Sequence, residues 1–124
     1  MARFEGKLAV VTGAGQSIGL KTAKAFIDEG AKVILAGRTA SKIEAAAASL
    51  GENAIPFTMD VGVEADWAKL VDYIKENFGE IDYLVNNAAI MPNKNIFNHT
   101  LESFREVERC NLESVFLGCK YCYD

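Results

Sequence analysis

The sequence has no excess of basic residues, since 13 lysines and arginines stand against 17 aspartates and glutamates, for a formal net charge of −4. Nucleic-acid and anionic-membrane surfaces need clustered positive charge, so this balance argues against both as partners. Long apolar runs are also missing, and none approaches the roughly 20 residues of a membrane-spanning helix. The N-terminal segment lacks the apolar stretch of a signal peptide, and the default prediction is therefore a cytoplasmic location.

Cysteine and histidine are scarce. The three cysteines all lie between Cys110 and Cys122, and His99 is the single histidine. An odd, crowded set of cysteines does not make a disulfide framework. Cys119 and Cys122 have the Cys-x-x-Cys spacing of a redox pair or half a zinc site, but their apolar neighbours favour a buried helix face with thiols as small apolar groups. No metal site is predicted.

The most informative segment runs from Lys7 to Gly19. Residues 8–11 are apolar and predict a short strand covered on both faces, whereas apolar residues recur at helical spacing from Ile18 onward. Gly13, Gly15 and Gly19 allow a tight turn between strand and helix and let a phosphate approach the helix N-terminus, which attracts anions. The predicted anion is the pyrophosphate of a dinucleotide. An ordinary strand–helix connection is the alternative.

Strands and helices alternate along the rest of the chain. Further strands are predicted at Lys32–Gly37, Ala54–Asp60 and Ile81–Asn86, and helices at Ala40–Leu50, Glu64–Phe78, Leu101 to about Arg109, and Asn111 onward, with a polar loop over 88–99. This alternation predicts a single α/β domain over residues 1–124 with a doubly wound parallel sheet in the order 3-2-1-4. Ligands of such sheets bind beyond the carboxyl ends of the strands, where the winding reverses.

The residue that follows the second strand bears on the choice of cofactor. A free ribose favours a carboxylate at this position, but the chain has Gly37 and then Arg38. An arginine can bind a 2′-phosphate through its forked donors, which favours NADP over NAD. The alternative for Arg38 is a solvated side chain that opens a turn.

Four short motifs stand in order at these strand ends and beyond. They are Thr12-Gly13 with Ser17 and Gly19, Asp60-Val61, Asn86-Asn87-Ala88-Ala89, and Asn111. Together they resemble the short-chain dehydrogenase/reductase family, with Ser17 where the family usually has its middle glycine and Ala89 in place of another. The resemblance covers residues 6–121 and implies a Rossmann-like fold. From the residues alone, Asn111 would be a helix cap at the junction of two helices.

The resemblance assigns roles to these positions. It implies that the cofactor, NADP or NAD, is bound by Thr12, Gly13, Gly15, Gln16, Ser17, Ile18, Gly19, Arg38, Asp60, Val61, Asn87, Ala88 and Ala89. Asp60 and Val61 would contact the adenine. Asn111 would take a catalytic role by holding a proton-relay water near the active lysine.

The implied activity is hydride transfer between a nicotinamide cofactor and a small-molecule carbonyl or secondary alcohol. The family's catalytic serine and Tyr-x-x-x-Lys motif have no counterpart in these 124 residues. We therefore interpret the chain as the cofactor-binding half of a truncated reductase, inactive alone, whose full-length relatives form homo-oligomers. A non-catalytic nucleotide-binding or protein-interaction module is the alternative.

Overall fold

The computed structural model describes residues 3–90 and 97–123. Its elements are β1 (Leu8–Thr12), α1 (Ser17–Asp28), β2 (Lys32–Gly37), α2 (Ala40–Leu50), β3 (Ala54–Thr58), α3 (Glu64–Asn77), β4 (Tyr83–Val85), α4 (Leu101–Glu108), a π-helical turn (Arg109–Glu113) and α5 (Ser114–Cys122). Six residues of the predicted loop 88–99, numbers 91–96, lie outside the described ranges.

The four strands form one parallel sheet in the order β3-β2-β1-β4. The predicted Rossmann-like fold and its strand order are confirmed. β3 and β4 are shorter than predicted, because pairing ends at Thr58 opposite Gly37 and at Val85 opposite Val11. Beyond β3, the backbone N–H of Asp60 donates to the side chain of Asp66 instead of a strand.

The sheet has a buried apolar core on each face. Alternate residues of β1 point to opposite sides. Val10 packs in the cluster that includes Trp67 and Leu70 of α3, and Val11 packs in the cluster that includes Ala23 of α1. All five residues of β1 are buried. The central strand is therefore covered on both faces, as its unbroken apolar run predicts.

The predicted break between two C-terminal helices is wrong. Residues 101–122 follow a continuous helical path, in which the π-helical turn takes up the residues expected to separate the helices. The segment contains neither proline nor glycine between Glu108 and Ser114, so nothing in its sequence stops a helix. Arg109–Glu113 therefore continue the helical path, as a turn whose hydrogen bonds have the wider i→i+5 spacing of a π-helix.

The prediction of a buried Cys-x-x-Cys face is wrong at Cys119, which is exposed. The buried residues of α5 are Ser114, Leu117 and Gly118. Cys119 follows Gly118, and because each helical residue is rotated by about 100° from the one before, its side chain points away from the buried face. Cys122 is half-buried, and this burial raises its pKa to about 11. Among the described residues, no helix has the length and apolar character needed to cross a bilayer.

Candidate functional site: a cleft at the carboxyl ends of the strands

A cleft of about 560 Å³ opens where β1, β2 and β4 end. Its lining consists of Gly13, Gly15, Gln16, Ser17, Ile18, Gly37, Arg38, Thr39, Lys42, Ile43, Met59, Val61, Asn87, Ala88, Ala89, Ile90 and Cys110. This position follows from the topology. The connections that leave β1 and β4 run in opposite directions, so a crevice opens between them at the carboxyl ends of the two strands.

The glycine turn after β1 is fastened to the segment after β4. The buried hydroxyl oxygen of Thr12 accepts hydrogen bonds from the backbone N–H groups of Asn87 at 3.0 Å and Ala88 at 2.9 Å. The side-chain amide of Asn87 donates to the carbonyl of Gly13 at 3.3 Å. Gly13 has a φ of +64°, and a Cβ there would lie 2.9 Å from Cα of Ala88. The turn therefore needs glycine for both conformation and space.

The N-terminus of α1 forms the floor of the cleft. Gln16 precedes the helix and makes no side-chain cap hydrogen bond, and the first turn carries no acidic residue. The first N–H groups of a helix have no acceptor within it, so they remain as donors beside the positive end of the helix dipole. Ile18 is 71% exposed on this side. Such a floor attracts an anion and repels a cation.

Ser17 is the one non-glycine residue with a positive φ among the described residues, at +54°. The left-handed region costs an L-residue roughly 1–2 kcal/mol, and glycine adopts it without that cost. We expect Ser17→Gly to raise the free energy of unfolding by about 0.5–1 kcal/mol, since the greater freedom of glycine in the unfolded chain offsets part of the gain. Urea denaturation measures the change. Ser17→Ala, which keeps the Cβ, serves as the control and should give no gain; equal stabilisation by both variants would contradict the argument.

Asp60 lies at the end of β3 within a network of hydrogen bonds. Its carboxylate accepts from both terminal nitrogens of Arg109 at 3.2 Å and from the N–H of Gly62 at 2.9 Å. Partial burial raises the pKa of Asp60, but the Gly62 N–H and the Arg109 guanidinium lower it more, so that the net pKa is below the ordinary value. Asp60 is therefore an ionised anchor whose oxygens already have donors. Val61 beside it lines the cleft, and its carbonyl accepts from the indole of Trp67.

Two cations stand at the outer edge of the cleft, Arg38 after β2 and Lys42 in the first turn of α2. The Arg38 side chain is 53% exposed, and its Nη1 lies 3.9 Å from Oε1 of Glu106 on α4. That separation allows an ion pair, but it is longer than a hydrogen bond. The guanidinium therefore keeps donors that a ligand can use.

Asn111 lies in the π-helical turn and pairs with the backbone of Ile90. Its side-chain oxygen accepts from the Ile90 N–H at 2.7 Å, and its amide nitrogen donates to the Ile90 carbonyl at 2.8 Å. The alternative of a helix cap is wrong, because the backbone is helical on both sides of Asn111. The side chain instead fixes Ile90, the fifth residue after β4, and π-helical turns are often found at functional sites.

Ten of the fourteen residues predicted to form the site line this cleft, namely Gly13, Gly15, Gln16, Ser17, Ile18, Arg38, Val61, Asn87, Ala88 and Ala89. The other four do not line it. Thr12 and Gly19 are buried at the glycine turn, Asp60 accepts from the N–H of Gly62, and Asn111 bonds the backbone of Ile90. Asn86, the first residue of the third motif, places its side-chain amide nitrogen 3.8 Å from the sulfur of Cys119 on α5.

Sequence reasoning missed several lining residues, of which Lys42 and Cys110 carry chemistry. Lys42 could have been found, because α2 begins directly after β2 and its first turn faces the same end of the sheet. Cys110 could not, since the cysteine pattern gives no position relative to the cleft. Burial raises the pKa of the Cys110 thiol, which keeps it protonated at neutral pH.

Comparison with known proteins identifies the family to which the chain belongs. The family model for short chain dehydrogenases matches residues 7–124. An NADP-dependent (R)-specific alcohol dehydrogenase of Lentilactobacillus kefiri is 42% identical over 120 residues, 95% of this chain and 48% of that protein. A 3-beta-hydroxysteroid dehydrogenase of Comamonas testosteroni is 36% identical over 95% of this chain and 46% of its own length.

The fold agrees with a solved structure from Brucella melitensis, a short-chain dehydrogenase/reductase described as a glucose/ribitol dehydrogenase. Its TM-score is 0.91 with 32% sequence identity, over 97% of this chain and 52% of that one. A Rossmann-like parallel sheet with a glycine turn at its switch point is the general class. Within that class, the chain belongs to the short-chain dehydrogenase family of oxidoreductases, and it spans about half the length of the relatives it matches.

Proposed function

We propose that the cleft binds the adenosine diphosphate end of a nicotinamide dinucleotide, and that NADP is preferred to NAD. The observation that carries the proposal is the turn from Gly13 to Gly19, which puts uncapped helix N–H groups at the cleft floor. A side chain at Gly13 would meet the backbone of Ala88, so the free space beside the turn depends on glycine. This cradle fits a pyrophosphate.

The cations at the outer edge support the preference for NADP. Arg38 and Lys42 line the cleft beyond β2, where the ribose next to the adenine lies in sheets of this type. A guanidinium there can bind a 2′-phosphate with two donors. The chain has no carboxylate directly after β2 to accept from a free ribose hydroxyl. The alcohol dehydrogenase of L. kefiri is described as NADP-dependent, which is in line with the proposal.

In the whole protein, the proposed activity is hydride transfer to or from a small-molecule carbonyl or secondary alcohol. The cofactor supplies the hydride when bound, and these residues bind and orient it. Asn111 holds Ile90 through both backbone groups, so its proposed catalytic contribution is to fix the cleft wall and a water beside it. We assign the 124 residues the cofactor-binding half of this chemistry, with no turnover of their own.

Self-association is part of the proposal. Large apolar side chains are exposed along the C-terminal helical path, at Leu101, Phe104, Leu112, Val115 and Phe116. Exposed apolar patches mark contact surfaces more often than isolated apolar residues do. We propose that this face contacts a second copy in the intact protein. The cytoplasmic location stays a prediction.

Replacement of Arg38 tests the cofactor assignment. The probes are 2′,5′-ADP and 5′-AMP, which share the adenosine end and differ in the 2′-phosphate. We expect Arg38→Gln to weaken 2′,5′-ADP binding by about 10-fold or more and 5′-AMP binding by less than about twofold, because a charge-assisted hydrogen bond contributes ~1.5–3 kcal/mol. Isothermal titration calorimetry gives both dissociation constants.

Lys24→Gln is the matched control, because it removes a cation that pairs with Asp28 on the exposed side of α1. It should leave both affinities unchanged. Tighter binding of 5′-AMP than of 2′,5′-ADP by the unaltered chain would contradict the preference for NADP, and no binding of either probe would contradict the site.

A further inference from the structure

Arg38 belongs to a cluster of four charged side chains, which also contains Asp60, Glu106 and Arg109. Two guanidinium groups and two carboxylates give the cluster a formal charge of zero. It joins the end of β2, the end of β3 and the helical path from α4 into the π-helical turn. The cleft edge therefore contains its own anions as well as the cations that a phosphate would bind.

Glu106 is held in place by Arg109. Its Oε1 accepts from Nη2 of Arg109 at 2.6 Å, and its Oε2 accepts from Nε at 3.1 Å. Arg109 is in turn held by both oxygens of Asp60. A carboxylate with two such bonds has little freedom to swing into solvent, although 43% of the Glu106 side chain is exposed. Its charge is thus fixed at one position relative to the cleft.

That position faces Arg38. The separation of 3.9 Å between Nη1 of Arg38 and Oε1 of Glu106 is an ion-pair distance, and the same Oε1 bonds Arg109. Arg38 is the more loosely held partner, because within residues 3–90 and 97–123 its one ion pair is with Glu106, and more than half of its side chain is exposed. A ligand phosphate and Glu106 would therefore compete for the Arg38 guanidinium.

We infer that Glu106 is a specificity-determining residue, whose carboxylate competes with a cofactor 2′-phosphate for Arg38 and so moderates the preference for the phosphorylated dinucleotide. The inference rests on the proposed function of the cleft. Arg109 is the positioning residue that keeps Glu106 at this distance. A dinucleotide with a free ribose adds no charge beside Arg38, and its affinity is therefore independent of Glu106.

Glu106→Gln removes the charge at nearly constant shape, and the glutamine oxygen keeps one of the two hydrogen bonds from Arg109. We expect this variant to bind 2′,5′-ADP about 3- to 5-fold more tightly than the unaltered chain at low ionic strength, because the phosphate no longer has to break a partly exposed ion pair between Arg38 and Glu106, which has an effect of this order. Binding of 5′-AMP should change by less than about twofold. The gain should shrink at high salt, because the groups are partly exposed to solvent. Calorimetry with both probes measures it, and thermal unfolding checks that the variant is folded.

Two controls separate the pair from a general charge effect. Glu108→Gln removes the same charge from the same helix and should change 2′,5′-ADP binding by less than about twofold. In an Arg38→Gln background, Glu106→Gln should change the affinity for 2′,5′-ADP by less than about twofold, because the guanidinium for which Glu106 and the 2′-phosphate compete is gone. An undiminished gain in that background would overturn the inference.

The outcomes also separate this inference from the proposed function. If Arg38→Gln removes the preference for 2′,5′-ADP and Glu106→Gln does not change it, the cofactor assignment stands and the role of Glu106 is wrong. A gain that is equal for both probes would likewise overturn that role. If neither probe binds, or if Arg38→Gln leaves the preference intact, the proposed function fails and the inference fails with it.

Discussion

Gly19→Ala should destabilise the protein by about 3 kcal/mol and weaken 2′,5′-ADP binding by more than about 10-fold. Glycine to alanine inside a helix usually stabilises by about 1 kcal/mol, so the expected sign is reversed. The reason is the lack of space behind the turn. A Cβ at Gly19 would collide with the carbonyl oxygen of Gly13 and lie 2.6 Å from the side-chain amide nitrogen of Asn87. Backbone cannot yield as a flexible side chain does, and the glycine turn would have to move.

Urea denaturation and calorimetry measure the two effects of Gly19→Ala. Gly15→Ala is the matched control for stability, because a Cβ there would lie 3.4 Å from Cβ of Lys42, an ordinary contact. It should change the free energy of unfolding by less than about 0.5 kcal/mol. If the two variants are equally stable, the close packing of α1 against the turn is not what fixes the site.

The fold could be predicted because each strand is a short apolar run and each helix repeats apolar residues at its own period. Gly51 and Gly79, both with positive φ, follow α2 and α3, whose ends the sequence predicted to within one residue, at Leu50 and Phe78. The π-helical turn could not be predicted. Its residues have ordinary helix propensities, and the hydrogen bonds of its Asn111 side chain reach Ile90, which is 21 positions away.

The location of the cleft followed from a rule about strand ends, which is why residues after β1, β2, β3 and β4 meet there. The charges around it did not follow. The ion pair between Asp60 and Arg109 joins residues 49 positions apart, and it depends on which way the π-helical turn directs the arginine. Sequence spacing along one helix predicts neighbours at i+3 and i+4, such as Glu106 and Arg109, but not partners across elements.

Thr12→Val should lower the free energy of unfolding by about 2–4 kcal/mol. The two side chains have nearly the same shape, so the change removes a hydroxyl and little else. That hydroxyl accepts from the N–H groups of Asn87 and Ala88 and lies 3.4 Å from the carbonyl oxygen of Val85, to which it donates. Thr12 is 1% exposed. Water therefore cannot replace the lost acceptor, and each unsatisfied donor costs about 1–3 kcal/mol.

Thr12→Ser keeps the hydroxyl and loses one methyl group, so it should cost only about 1 kcal/mol. Hydrogen exchange at the amides of Asn87 and Ala88 distinguishes the two variants directly: exchange should become much faster with valine and change little with serine. Equal protection of both amides in all three proteins would mean that the segment after β4 is held by other contacts. In that case the pairing of β4 with β1, together with the bond from Asn87 to Gly13, would be sufficient to join the two halves of the cleft.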